Sequence, residues 1–169
     1  LVAELAKHPN IVGIKEASGN IGQISRIIEA TCDEDFAVIS GDDNMTLPIM
    51  ALGGAGVISV AANVAPKRMV AMSDAMRKGD LAKAKKIHYE LSTVFRAMFI
   101  DTNPIPVKKA VGLCGMAGGP VRLPLSDLDA KKTEQLAAVL KAAGLMKSGK
   151  PAPAKKAAKA KAKGKARGR

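Results

Sequence analysis

Aromatic side chains are nearly absent from this 169-residue chain, which has no Trp, one Tyr and three Phe. Stacking platforms for single-stranded nucleic acid need aromatic faces, so a base-stacking role is excluded. Cysteine is almost as scarce. Cys32 and Cys114 stand alone without CxxC spacing, which indicates neither a zinc site nor a disulfide framework and fits a reducing, cytoplasmic compartment. No apolar stretch approaches the roughly 18 residues of a membrane helix, so no membrane partner is expected. Nor is a signal peptide read at the start, where Glu4, Lys7 and His8 interrupt the apolar pattern.

Acidic residues are missing from one region only. Residues 147–169 hold ten Lys or Arg and no acid, leaving 17 basic and 15 acidic side chains in the other 146 residues. The net charge of +12 therefore belongs to a Lys/Ala-rich tail, and the rest carries only +2. With no large apolar side chain after Met146, that tail is expected to be disordered. It resembles the basic ends of histone-like proteins. A passive solvated extension is the expected role, and non-specific contact with nucleic acid through counterion release is the alternative.

Apolar residues make up 47% of the chain, enough to build a core. Three short runs rich in Val and Ile, Ile11–Glu16, Phe36–Gly41 and Gly56–Ala62, read as buried strands. Between them lie two helical patterns. Asn20–Cys32 places Ile21, Ile24, Ile28 and Cys32 on one face, and Met45–Leu52 starts at Asp43 or Thr46 as a cap. Strand, helix, strand, helix, strand implies parallel strands joined by right-handed crossovers. From Pro66 onward only helices are expected: Lys67–Lys78 with Met69, Met72 and Met76 on one side, a long helix capped by Asp80, Val107–Leu113 after the NPIP break, and Asp129–Ala143.

Three strands cannot close a barrel, and a (β/α)8 barrel takes at least about 200 residues. A small open α/β sheet is one solution. The other is the last three βα units of a (β/α)8 TIM barrel followed by a C-terminal helical domain. The chain opens at Leu1, not Met, in what reads as the last turns of a helix stopped by Pro9, which favours the second. The expected division is 1–79 for the barrel part, 80–146 for the helical domain and 147–169 for the tail.

Lys15 is the chemically conspicuous residue. It lies at the C-terminal end of an otherwise apolar strand, where catalytic side chains gather in parallel α/β structures. A lysine there is expected to lose solvation, which disfavours its ammonium form, and a neutral amine attacks ketones to form Schiff bases. The alternative is a lysine that snorkels to solvent or pairs with Glu16. Asp42 and Asp43 could form a carboxylate pair or metal ligands, but a helix cap explains them better. The Gly54-x-Gly56 pattern precedes a strand, so it is no dinucleotide loop. His8 and His88 lack ligand spacing and read as surface residues, and the methionine stripe reads as core or subunit packing.

Five segments together carry a family resemblance. GIKEASGN (13–20), SGDDN (40–44), GGAGVISVAANVAP (53–66), NPIPVKKA (103–110) and RLPL (122–125) stand in an order that resembles the dihydrodipicolinate synthase family of pyruvate-dependent class I aldolases. The resemblance covers Leu1 to about Met146, roughly the C-terminal half of such a protein. It implies that Lys15 is the Schiff-base lysine for pyruvate, that Ile58 faces the bound keto acid through its backbone carbonyl, and that Gly41 lines the pocket. It further implies condensation with L-aspartate 4-semialdehyde, no metal or organic cofactor, and a cytoplasmic homotetramer. The family's tyrosine proton relay, carboxylate-binding threonines and aldehyde-selecting arginine fall upstream of Leu1, so the chain alone is expected to be inactive. Tyr89 lies in a C-terminal helical pattern and does not replace the relay. Sister aldolases, N-acetylneuraminate lyase or keto-deoxy sugar-acid aldolases, share the lysine and remain the alternative enzyme.

Overall fold

The computed structural model describes residues 1–146, so the expectations for the basic tail lie outside the described residues. Seven α-helices and three strands are present there: α1 (Val2–Leu5), β1 (Gly13–Glu16), α2 (Ile21–Thr31), β2 (Ala37–Ser40), α3 (Thr46–Ala51), β3 (Gly56–Val57), α4 (Pro66–Arg77), α5 (Leu81–Ala97), α6 (Ile105–Leu113) and α7 (Ala130–Ala142). Short 3₁₀ turns occupy Asp43–Met45 and Ala61–Asn63. The sheet is parallel throughout, in the order β1-β2-β3.

Local chemistry sets most boundaries. Asn20, Asp80 and Asp129 each accept the backbone N–H three residues on, capping α2, α5 and α7. Gly79 and Gly144 take the left-handed conformation that ends α4 and α7. Pro106 lies in the first turn of α6, where its missing N–H costs nothing, so the helix begins at Ile105, before the expected Val107.

Two expectations need correction. The third strand was read over Gly56–Ala62, but it stops at Val57, and the chain turns away after Ile58 donates its N–H to the Ser40 carbonyl. The competing acceptor is the Asp43 carboxylate, which captures the amides of Val60 and Ala61. Asp43 therefore does not cap α3. Asp42 caps the 3₁₀ turn instead, through Asn44 N–H, and α3 starts without a side-chain cap.

Two cores result. The smaller joins Val38 of β2 to Ile24 of α2 and Ile49 of α3, with Ile14, Ile27, Ile28, Phe36 and Met45 at its margin. The α2 stripe is buried only at its centre, since Ile21 and Cys32 at its ends are exposed. The larger core joins α4 to α7 through fully buried Met72, Leu91, Val94, Phe95, Met98, Leu136 and Leu140. Met69 and Met72 bury completely or nearly so and Met76 partly, as core side chains. His88 is not the surface residue expected. It is half-buried, with its ring edge-on to Tyr89 and Phe95 and its Nδ1 without a hydrogen-bond partner among the described residues.

Candidate active site

Side chains alternate along each strand, so the register decides what shares a face. Lys15 pairs with Ile39, and Ile39 with Gly56. Continuing the alternation, Gly41 and Ile58 follow two residues after Ile39 and Gly56. Lys15, Gly41 and Ile58 thus fall on one face at the C-terminal edge of the sheet. The opposite face carries Ile14 and Val38 and packs on α2 and α3.

Gly41 is the neighbour that matters most to Lys15. Its N–H donates to the Glu16 carbonyl at 2.7 Å, extending the β1–β2 ladder by one bond. A Cβ at Gly41 would sit 2.8 Å from Lys15 Cε, 3.2 Å from Lys15 Cγ and 2.8 Å from Ala17 Cβ. The missing side chain is therefore room for the lysine stem itself.

Glu16 settles one alternative. Its side chain points to the helix-covered face and is only 8% exposed. Its Oε2 accepts from the Ser18 N–H and hydroxyl, and its Oε1 from Gln23 Nε2. Glu16 organises the loop into α2 and does not pair with Lys15. Among the described residues Lys15 makes no ion pair.

Lys15 is exposed, so the desolvation expected of it is absent from this chain. The cause is topological: β1 is an edge strand, and the helices α2 and α3 cover only the face that Lys15 avoids. Ile58 is likewise 51% exposed. It lines a groove of about 400 Å³ between the outer flank of β3 and α4, together with Val57, Pro66, Met69, Val70 and Ser73. Lys15 and Gly41 do not line it. The groove also reaches Ile39 and Gly56, so it opens on the face that carries Lys15 without including the lysine itself.

Sequence reasoning singled out Asp43 but read it as a helix cap, and so missed the partners of the most heavily bonded side chain at this edge. Asp43 is 1% exposed, and its carboxylate accepts from the Ser59 hydroxyl in a short contact, from Ala61 N–H at 2.9 Å and from Val60 N–H at 3.2 Å. Burial pushes its carboxyl above the ordinary value, against the Ser59, Ala61 and Val60 donors that pull it down, and the Asp42 charge adds to the rise. The partners lie 16 to 18 residues away, so no local spacing announces them. The only signal is a pair of acids directly after an apolar strand. Among the described residues no cluster of three or more His, Cys, Asp or Glu could hold a metal ion, and no helix is long and apolar enough to cross a membrane.

Known proteins of the same form are numerous. The chain is 75% identical over 140 residues to a 4-hydroxy-tetrahydrodipicolinate synthase of Methanoculleus marisnigri, covering 83% of this chain and 48% of that protein. It is 69% identical over 140 residues to the protein of the same name from Methanosphaerula palustris, with the same coverages. Among solved structures, the dihydrodipicolinate synthase of Thermotoga maritima superposes with a TM-score of 0.83 at 43% identity, over 86% of this chain and 50% of that one. That of Aquifex aeolicus gives 0.82 at 43% identity, over 87% and 50%. The chain spans about half the length of the relatives it matches. With a parallel α/β sheet of the same form and residues 1–143 matching the family as a whole, the chain belongs to the Dihydrodipicolinate synthetase family.

Proposed function

We propose that this chain supplies the Schiff-base half of a 4-hydroxy-tetrahydrodipicolinate synthase. The observation that carries the reading is Lys15, which stands at the C-terminal end of β1 inside GIKEASGN, in a chain 75% identical over 140 residues to one relative of that name. In this reading β1 to β3 and their helices are the last three units of a (β/α)8 barrel. Residues 1–79 form the barrel part and 80–146 the helical domain, with α4 sharing its core with the latter. The remaining strands would pair with the free edges of β1 and β3 and enclose the face of Lys15. Desolvation of the amine then comes with closure, not from this chain alone.

The chemistry follows from a neutral amine. Lys15 Nζ adds to the C2 ketone of pyruvate, and water leaves to give an iminium conjugated to the carboxylate. Loss of a C3 proton forms an enamine, whose C3 attacks the aldehyde carbon of L-aspartate 4-semialdehyde. Ring closure by the amino group of the semialdehyde onto C2 releases Lys15 unchanged. No metal or organic cofactor enters. Gly41 leaves space for the lysine stem, and the Ile58 backbone faces the keto acid. The proton relay and carboxylate contacts belong to residues outside the matched half, and general acid–base groups contribute about 10²–10⁴-fold. The chain by itself is therefore expected to turn over nothing, and the closed barrel to assemble as a cytoplasmic homotetramer.

The test is chemical trapping. Joined to the half of the Methanoculleus marisnigri relative that it does not match, the 169-residue chain should be reduced by borohydride in the presence of pyruvate. The adduct should map to the peptide containing Lys15, and Lys15→Ala should abolish it. An adduct on another lysine, or none, overturns the assignment.

A further inference from the structure

The sheet ladder gives out at Ile58. Its N–H donates to the Ser40 carbonyl at 2.9 Å, and beyond it the backbone leaves β2. The side chain that gathers the first of the following residues is that of Asp43. Asn63 Nδ2 and backbone bonds to the Val60 and Ala61 carbonyls hold the end of the turn. The Asp43 carboxylate spends Oδ1 on the Ser59 hydroxyl and Oδ2 on the amides of Val60 and Ala61. Ser59 Oγ in turn accepts the Ala62 N–H at 2.8 Å, which closes the 3₁₀ turn. Four donors within four residues are thus organised, directly or through Ser59, by one carboxylate on the neighbouring strand's loop.

The placement is costly. A carboxylate that is 1% exposed gives up its hydration, and three donors are needed to offset that loss. A neutral turn could be closed by ordinary backbone bonds. The charge acts on a different feature: it fixes the direction in which the backbone leaves β3, immediately after the residue that faces the keto acid. Asp43 itself follows Gly41 by two residues, so one short loop carries both the space beside Lys15 and the anchor of Ile58.

We propose that Asp43 is a positioning residue, whose buried carboxylate clamps the Ser59–Ala61 backbone and thereby sets Ile58 relative to the Lys15–keto acid adduct. It touches neither substrate nor Lys15 and acts only through the β3 turn. The inference rests on the Schiff-base reading above. Displacement of a reacting group's surroundings by about 1 Å costs up to about 10²-fold in rate.

The experiment uses the joined protein described above. Asp43→Asn keeps the volume and one acceptor but presents an NH₂ to a cluster of donors. It is expected to lower kcat at least tenfold with KM for pyruvate changed less than threefold, while the fraction of Lys15 trapped by borohydride at saturating pyruvate stays that of the wild type. Ser59→Ala, which leaves both amide bonds to Asp43, should lower kcat by a smaller factor with the same split, and it serves if Asp43→Asn does not fold. A kcat within twofold of the wild type in a folded Asp43→Asn, or in a folded Ser59→Ala if only that variant folds, overturns the inference and leaves the Schiff-base reading standing. A kcat that falls only in proportion to the trapped fraction overturns it too, because that is loss of folded sites and not misplacement. Absence of any trapped adduct in the wild type overturns the Schiff-base reading and this inference together.

Discussion

The sheet and the helical region of this molecule are finished to different degrees. Helices α4 to α7 enclose their own core, with Phe95, Leu91, Met72 and Leu136 fully buried. The sheet buries one face on α2 and α3, while the other face, where Lys15 is exposed, has α4 beside it across the open groove at Ile58. Stability and chemistry are therefore separated. The apolar mass that holds the chain together lies among the helices, and the residues proposed to react stand on that other face of the strands.

Truncation within each core tests that contrast first. Phe95→Ala should cost about 3–5 kcal/mol, the value for a large buried aromatic. Ile49→Ala in the smaller core should cost less than Phe95→Ala, within the range of about 2–5 kcal/mol for buried aliphatics, because its neighbours at the margin are only half-buried. Urea denaturation of each variant measures both. Equal losses would break the contrast between the two cores. Next comes Gly41→Ala, which inserts a methyl 2.8 Å from Ala17 Cβ and Lys15 Cε. About 1–3 kcal/mol should be lost by overpacking, and the borohydride-trapped fraction should fall as the lysine stem is displaced.

Acid should act with opposite signs on the two regions. Asp43 has a folded pKa raised above its ordinary 3.8 by burial. Its contribution is full below 3.8 and is lost as pH rises through the raised value, so wild type should gain stability over Asp43→Asn on acidification. His88 has a folded pKa lowered from 6.5 by burial in the helical core. Its contribution is present above 6.5 and is lost as pH falls through the lowered value, so wild type should lose stability relative to His88→Gln on acidification. Urea midpoints of the three proteins across pH 4 to 7 read both signs, and like-signed slopes would defeat the comparison. The smallest effect should come from the exposed Arg77–Asp74 pair, where Arg77→Ala should leave the thermal midpoint within experimental error.

What could be read in advance was what the chain decides locally. The Asp80 cap depends on a neighbour three residues on and lies where the sequence puts it, and the α2 and α7 patterns begin at the Asn20 and Asp129 that cap them. The end of β3 was over-read because Ile58, Ser59 and Val60 look like strand, while the acceptor that draws them out of the ladder lies 16 residues earlier in the chain. The alternation of β1 was legible and located Lys15 on the face opposite Glu16. Its exposure was not, because solvation depends on what stands over a face and not on the residues within it. His88 was misjudged for a similar reason, since a polar residue beside Tyr89 reads as surface until Phe95 packs against its ring.

Lys15 and Glu16 are adjacent, yet one amine and one carboxylate are sent to opposite sides of a strand only four residues long. Sliding that strand by a single position would exchange them, driving a cation into the aliphatic layer and presenting an acid where the proposed nucleophile stands. The three bonds that fasten Glu16 to Ser18 and Gln23 make such a slip expensive. Glu16, which does not pair with Lys15, thereby holds the proposed nucleophile to its own side of the strand.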